Sequence, residues 1–579
     1  MDASRQWNIR KARISSFLLL FPAVLDPRRT LLHHLFMDSS VQARQAKPSS
    51  PPVFSNCLRM WQRFQRLFLV YMLFGFGILT VVIAGPVRSA IEVGGDEPYE
   101  VTKGLLWAHG YLLYEEIWSD QPPLFTALLG ILFRCFGPTI GVARTLSAAF
   151  GVLLLGVCFL VVKRHCGLFA AFVAATCLLV APNVLELSVS VMQEVPMLAT
   201  ALGALWLLQR WERDRRWPWL VASGVVLAAA MQIKLLAVIA APALVVEIVV
   251  VSRANGGASW VKRAARNLQT WGAGLASGFA VLGLSLGWNY DLIWAFHFSP
   301  ELQAASSMAP QLRFPPHLLL EHPEALWGAV VGLIVMILRR DWRRLVFPVV
   351  MLLTAAAIHS WHRPWWYFYY LHFAVPLAWL TGYGVAEIFR TLVKSVESGF
   401  QPRLLTLGSY VAMAALITLL IGDGGTRLIF EIQRLRQLPR IEKSELVAKM
   451  KQFAGRTRWI YTQSTMYAFH AGLLVPPKLA VISRKRVWSG QITDIQILTV
   501  VKRYQPEQLL LSNEAFLTEM KVFIDIGYLL VYDDGRHQLY VAKALLPNDS
   551  SGKSRMMVNE GFREHAACAL FACPKRHAH

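Results

Sequence analysis

Charge is scarce in this sequence: Asp, Glu, Lys and Arg make up 16% of its 579 residues, against about 25% in an ordinary soluble chain. That shortage, with 55% hydrophobic residues and a mean hydropathy of +0.42, excludes a set of soluble domains. Cysteine is scarce too. Cys135, Cys158, Cys166 and Cys177 lie in or beside apolar segments, and Cys568 and Cys573 stand in a polar tail without a partner pair. The spacing gives neither a disulfide framework nor a zinc site. A Gly-rich phosphate loop and an Asp-x-Asp metal motif are missing, so the soluble nucleotide-sugar enzymes are excluded as well. Also missing is the dyad alternation of barrel strands, which leaves helices as the only spanning structure.

What is present is a series of apolar runs long enough for a hydrocarbon core roughly 30 Å thick. Spans are predicted at 67–87, 140–162, 167–186, 194–209, 218–233, 235–251, 271–289, 326–338, 345–360, 366–389 and 404–422. The apolar stretch 124–136 is too short to cross and is expected to lie along the membrane surface. The net charge of +22 invites a nucleic-acid reading, but its distribution opposes one. Seventeen Lys and Arg residues sit in five alternate turns: 163–164, 210–216, 253–266, 339–344 and 390–403. Positive turns mark the cytoplasmic side. The N-terminus is therefore expected inside, and the segment after the first span outside.

The predicted fold class is an all-α polytopic membrane domain of about eleven transmembrane helices plus a small C-terminal extracytoplasmic α/β domain. Residues 1–64 read as a basic, disordered cytoplasmic extension, 65–423 as the transmembrane domain, 424–546 as the α/β domain and 547–579 as a disordered tail. Strands are expected at 459–462, 478–482, 508–511, 528–532 and 538–543, with Asp533-Asp534-Gly535 as a hairpin turn.

The segment after the first span holds seven acids (Glu92, Asp96, Glu97, Glu100, Glu115, Glu116, Asp120) against two bases, Arg88 and Lys103. Acids contribute little to topology, so insertion does not require them. A carboxylate at the interface can take a proton from an acceptor hydroxyl. Further along, Glu194 stands at a span end and Lys234 within a nearly continuous apolar region. Such charges are costly in a membrane and mark functional positions. Trp361 to Tyr370 is an aromatic belt that also carries His362 and Arg363.

The succession Asp96-Glu97, Tyr99, Gly110, Tyr114, Pro122-Pro123-Leu124, Phe136-Gly137 and Ala143-Arg144 resembles the start of the C-type (GT-C) membrane glycosyltransferases. Within them it is most similar to the bacterial branch related to protein O-mannosyltransferases and the lipid A aminoarabinose transferase. The resemblance extends over about residues 67–390. It implies that Asp96 is the catalytic carboxylate, with Glu97 as supporting acid and Glu194 as a second acid near the site. It further implies that Lys234, Arg363, Tyr369 and Arg144 face the donor phosphate. Tyr99, Gln121, Pro122 and Pro123 would position the loop, and Gln121 departs from the histidine or lysine that many relatives carry there.

The implied donor is a polyprenyl-phosphate-linked sugar and the implied acceptor a glycan, lipid or protein hydroxyl. The chemistry requires no cofactor and no metal. A bacterial plasma membrane is the expected location. A polytopic lipid or solute transporter is the alternative class. It predicts inverted repeats and charges at the membrane midplane, whereas no internal repeat is visible and the notable charges cluster at outer helix ends.

Overall fold

The computed structural model describes residues 85, 87–254, 259–287, 289–297, 313–397, 404–512 and 518–546. The extension 1–64, the tail 547–579 and all but residues 85 and 87 of the span expected at 67–87 lie outside them. From the N-terminal side the helices are α1 Glu97–Ala108, α2 Leu124–Phe136, α3 Ile140–Cys166, α4 Leu168–Leu179, α5 Val184–Val189 and α6 Glu194–Asp214. There follow α7 Trp217–Ile233, α8 Ala241–Ala254, α9 Trp260–Leu286, α10 Tyr290–His297 and α11 Pro323–Arg339. The last of the helical body are α12 Val346–Trp361, α13 Leu371–Glu397, α14 Leu404–Thr418 and α15 Gly425–Arg436.

Local chemistry explains several boundaries. Helix α3 starts where the Thr139 side chain accepts a hydrogen bond from the Val142 amide. It ends at Gly167, in a positive-φ conformation, after Lys163, Arg164 and His165 have placed positive or polar groups at the negative end of its dipole. Its 27 residues extend about 40 Å, ample for a crossing. The segment expected as one span at 167–186 is broken: Asn183 adopts φ 57° and separates α4 from α5. A second break falls at Lys234, whose extended backbone (φ −153°, ψ 131°) ends α7 before a 3-10 turn, Leu235–Ala240, leads into α8.

Among the described residues three helical stretches are long and apolar enough to cross a membrane: Ile140–Cys166, Leu235–Ala254 and Leu407–Arg436. A fourth counts if α9 and α10, bent by 95° at their junction, form one broken span. The other expected spans that fall within the described residues correspond to helices that are shorter, broken or more polar. Helix α2 has the 13 residues predicted for it and is two-faced. Phe125, Leu129 and Phe133 are buried while Ile131 and Phe136 point outward.

Glycines let several helices meet backbone to backbone, as membrane helices favour. A Cβ at Gly224 would lie 2.3 Å from the Trp271 carbonyl oxygen, and one at Gly332 would lie 2.2 Å from that of Leu380. Gly332→Leu is therefore expected to force α11 away from α13 and destabilise the body by about 1–3 kcal/mol. The melting midpoint in detergent checks this, with Gly408→Leu, where a Cβ meets nothing within 4 Å, as the control.

Beyond α15 the chain builds a four-stranded sheet in the order β1-β2-β4-β3, from β1 Ile460–Thr462, β2 Gln508–Ser512, β3 Tyr528–Asp533 and β4 His537–Ala542. β1 and β2 are parallel and the other pairs antiparallel. Leu446, Met450, Leu498, Val501 and Leu539 pack a separate core around it. The β3–β4 turn is the expected one: Gly535 takes φ 78°, and Asp534 Oδ1 accepts from the amides of Arg536 (2.8 Å) and His537 (2.7 Å).

The strand expected at 478–482 does not form. Pro476 and Pro477 cannot donate to a ladder, Pro477–Leu479 makes a 3-10 turn, and Ala480 and Val481 pack instead against Leu113 and Trp118 of the first loop. The sheet unit is seated on that loop. Ile91 N donates to Pro439 O (2.8 Å) and Ile441 N to Ser89 O (2.8 Å). Thr465 Oγ1 donates to Pro98 O (3.2 Å) and Trp118 Nε1 to Gln491 Oε1 (3.0 Å).

Candidate active site

The loop before α1 needs both its glycine and its acid pair. A Cβ on Gly94 would lie 2.5 Å from Met192 Sδ and 2.9 Å from Ser190 Oγ, so a larger residue would have to displace both side chains for the loop to lie this close to the start of α6. The Glu97 amide donates to Gly94 O (3.1 Å), closing the turn, and Pro98 stands in the first helical turn, where its missing N–H costs nothing. Asp96 is left at the N-cap of α1, half-buried. Its carboxylate makes no hydrogen bond or ion pair among the described residues. Burial pushes its pKa up to about 7; the Lys234 charge opposes this, and Glu194, Glu100 and Asp120 add to it.

Glu97 has a different task. It is fully buried (0% exposed) and bonded to Arg144 through two parallel contacts, Nε to Oε1 at 2.9 Å and Nη2 to Oε2 at 2.7 Å. It also accepts from the amides of Val93 (2.7 Å) and Val191 (3.2 Å). Arg144 Nη1 donates to the carbonyls of Val87 (2.5 Å) and Ala90 (2.9 Å). A guanidinium in such a bidentate pair has four of its five N–H groups engaged within the protein. Arg144, expected to face the donor phosphate, is held in this structure against Glu97 and the Val87 and Ala90 carbonyls, and so ties α3 to the loop. Glu97, fully buried in these bonds, does not itself face an open site.

On the other wall, Glu194 opens α6 and its Oε1 pairs with Lys234 Nζ, both groups buried. The break at Lys234 aims this side chain at the site rather than along a helix face. The ammonium lies 4.9 Å from the Phe368 ring centroid and 5.4 Å from that of Tyr369, where aromatic faces attract a cation. Glu194 Oε2 and both side-chain polar atoms of Gln193 are buried without partners, which is costly unless a ligand or water satisfies them. Gln193 was not expected here from the sequence.

The Tyr369 hydroxyl is 3.5 Å from His362 Nε2. Burial, then the charges of Lys485 and Lys234, depresses His362 to about 4, so this imidazole is neutral. Next to it, Arg363 is half-buried and makes no ion pair or hydrogen bond among the described residues, unlike Arg144.

The loop-positioning residues divide. Tyr99 donates to Ile482 O (3.2 Å) and ties the loop to the sheet unit; burial and then Asp96 push its pKa up to about 12. The Gln121 carbonyl accepts from the Tyr114 hydroxyl (2.8 Å), but its side-chain Oε1 is buried without a partner. Pro122 and Pro123 are buried and lead into α2. Asp120, also not expected as a site residue, accepts from Lys485 Nζ (2.8 Å), with His297 Nδ1 3.8 Å away. Burial would raise this carboxyl, yet Lys485 and His297 hold it well below the usual range. Lys103 is likewise paired with Glu100 at 2.9 Å. The acids of the loop are therefore neutralised except Asp96 at the centre and those at the rim.

Residues 120–278 match the family model described as dolichyl-phosphate-mannose-protein mannosyltransferase. The apo crystal structure of ArnT from Cupriavidus metallidurans superposes with a TM-score of 0.53 at 15% identity, covering 82% of this chain and 99% of that one. The chain shares the fold of that structure. ArnT bound to undecaprenyl phosphate gives a TM-score of 0.48 at 13% identity, covering 82% and 98% of the two chains. The archaeal oligosaccharyltransferase AglB from Archaeoglobus fulgidus, solved with an inhibitory peptide and a dolichol-phosphate, gives 0.49 at 13% identity, covering 83% and 75%. No curated protein matches by sequence. Within this fold, the loop after the first expected span, the start of α6, the Lys234 break and the aromatic turn before α13 converge on one place.

Proposed function

We propose that this chain is a C-type glycosyltransferase that moves a hexosyl or pentosyl group from a polyprenyl-phosphate donor to an acceptor hydroxyl at the outer face of a bacterial plasma membrane, with inversion. The observation that carries the reading is the half-buried, unpartnered Asp96 carboxylate beside the buried Glu194–Lys234 pair. Asp96 takes the proton of the acceptor hydroxyl as its oxygen attacks the anomeric carbon. The bond from that carbon to the phosphate oxygen breaks, and the lipid phosphate departs with the electron pair. Lys234 and Arg363 offset the negative charge that gathers on the leaving group, a fixed electrostatic contribution of the kind that dominates many active sites. Tyr369 donates to the same phosphate. The acceptor is a glycan, lipid or protein hydroxyl.

Purified protein in proteoliposomes, supplied with a panel of labelled polyprenyl-phosphate sugars, is expected to transfer label from one of them. Solute uptake without transfer would instead support a transporter. The pH profile supplies a second check. Because the deprotonated form of Asp96 is the active one and its pKa is raised to about 7, kcat/KM is expected to rise about tenfold per pH unit below 7 and then level off. A profile that falls as pH rises through 7 would remove Asp96 as the base.

A further inference from the structure

At the opposite end of the helical body three side chains from three helices converge: His165 at the end of α3, Glu212 at the end of α6 and Glu247 in α8. Their ligand atoms all lie within 4.8 Å of one another. Glu212 is 18 positions beyond Glu194 on α6, about 27 Å along the helix, so this cluster is separate from the reaction site. We propose that it is a binding site for a divalent first-row transition cation, which fastens α3, α6 and α8 together on the face carrying the arginine-rich turns.

Glu247 is the independent observation. It is buried, with 3% of its surface exposed, and makes no hydrogen bond or ion pair among the described residues. A buried carboxylate without a partner is costly, and coordination of a metal is one of the few ways such a charge is satisfied. His165 touches the Trp379 ring, at 6.0 Å between centroids, but neither of its nitrogens forms a hydrogen bond among the described residues. Glu212 pairs with Arg343 through Oε1, which leaves its second oxygen for a cation.

Ligand atoms about 2.0–2.2 Å from one ion are at most about 4.4 Å apart, so shifts of a few tenths of an ångström close the set. One imidazole and two carboxylates suit Zn²⁺ or Mn²⁺ better than Mg²⁺ or Ca²⁺, which prefer oxygen alone. The nearby arginine charge also disfavours a loosely held ion, so ligand bonds rather than the local field must hold it. Water completes the coordination.

The test uses the full chain in detergent, stripped of metal by a chelator and titrated with Co²⁺ while its visible absorption is followed. One saturable Co²⁺ site, displaced by Zn²⁺, is expected. Glu247→Gln and His165→Gln should each weaken it by more than the roughly 10–100-fold that loss of an outer-shell partner costs. Zn²⁺ should also raise the melting midpoint of the unaltered chain, a readout that needs no variant. The proposal is overturned if the unaltered chain has no saturable site and no Zn²⁺-dependent melting shift. It is equally overturned if both variants bind Co²⁺ undiminished, since the ion would then sit on other histidines of the chain.

Discussion

Asp96→Asn is expected to lower kcat by about 10²–10⁴, the range lost with a positioned general base, while the donor KM and the melting midpoint stay near those of the unaltered protein. The geometry separates the two effects cleanly. The Asp96 carboxylate holds no hydrogen bond or ion pair among the described residues, so the amide leaves no partner stranded. Burial and the charges of Glu194, Glu100 and Asp120 outweigh the attraction of Lys234 for this carboxylate, so loss of its charge does not weaken the fold. Loss of rate with intact melting would thus report chemistry alone. Initial rates at saturating donor, with melting curves of the same preparations, check it. Full activity in Asp96→Asn would move the base elsewhere, and Glu194 would be the next residue to examine.

Arg144→Ala should have the largest effect on stability, about 3–5 kcal/mol, the cost of breaking a buried pair by removing one partner. Glu97 would remain fully buried and charged, and the Val87 and Ala90 carbonyls would lose their donor. Arg144→Lys should not rescue, since one ammonium cannot reproduce two parallel bonds together with two carbonyl contacts. The double variant Arg144→Ala, Glu97→Gln should cost less than the two single losses combined, because the residues act as a unit. A phosphate-binding Arg144 would behave differently, with a raised donor KM and an unchanged melting midpoint. Melting midpoints and KM measured across the three variants distinguish these outcomes.

Much of the helical body was legible because long apolar runs bounded by Gly, Pro and Arg clusters announce membrane helices whatever their partners. The breaks were less legible. Asn183 and Lys234 interrupt apolar runs without proline, and a residue's departure from helical backbone depends on what surrounds it. The 478–482 segment looked like a strand because Leu479, Val481 and Ile482 favour one; tertiary packing against Leu113 and Trp118 overrode that preference.

The structure brings together Asp96, Glu194, Lys234 and Tyr369, which the sequence singles out because charges in apolar surroundings stand out and their order resembles a family pattern. The Glu97 partner of Arg144 was not legible, because an arginine near an interface looks the same in sequence whether it grips a phosphate or a carboxylate. Asp120 and Lys485 are 365 positions apart, and nothing local marks Lys485 among the basic residues around it. Gln193 carries no charge to draw notice; only its burial without partners reveals it.

The most direct measurement of the central claim is the configuration of the product's anomeric carbon, read by NMR after transfer from a polyprenyl-phosphate sugar labelled at that carbon. Direct attack by a hydroxyl activated at Asp96, with departure of the lipid phosphate from the opposite face, predicts a single product of inverted configuration. A product of retained configuration would contradict the account, because it would require a second displacement through a covalent intermediate that this mechanism does not contain.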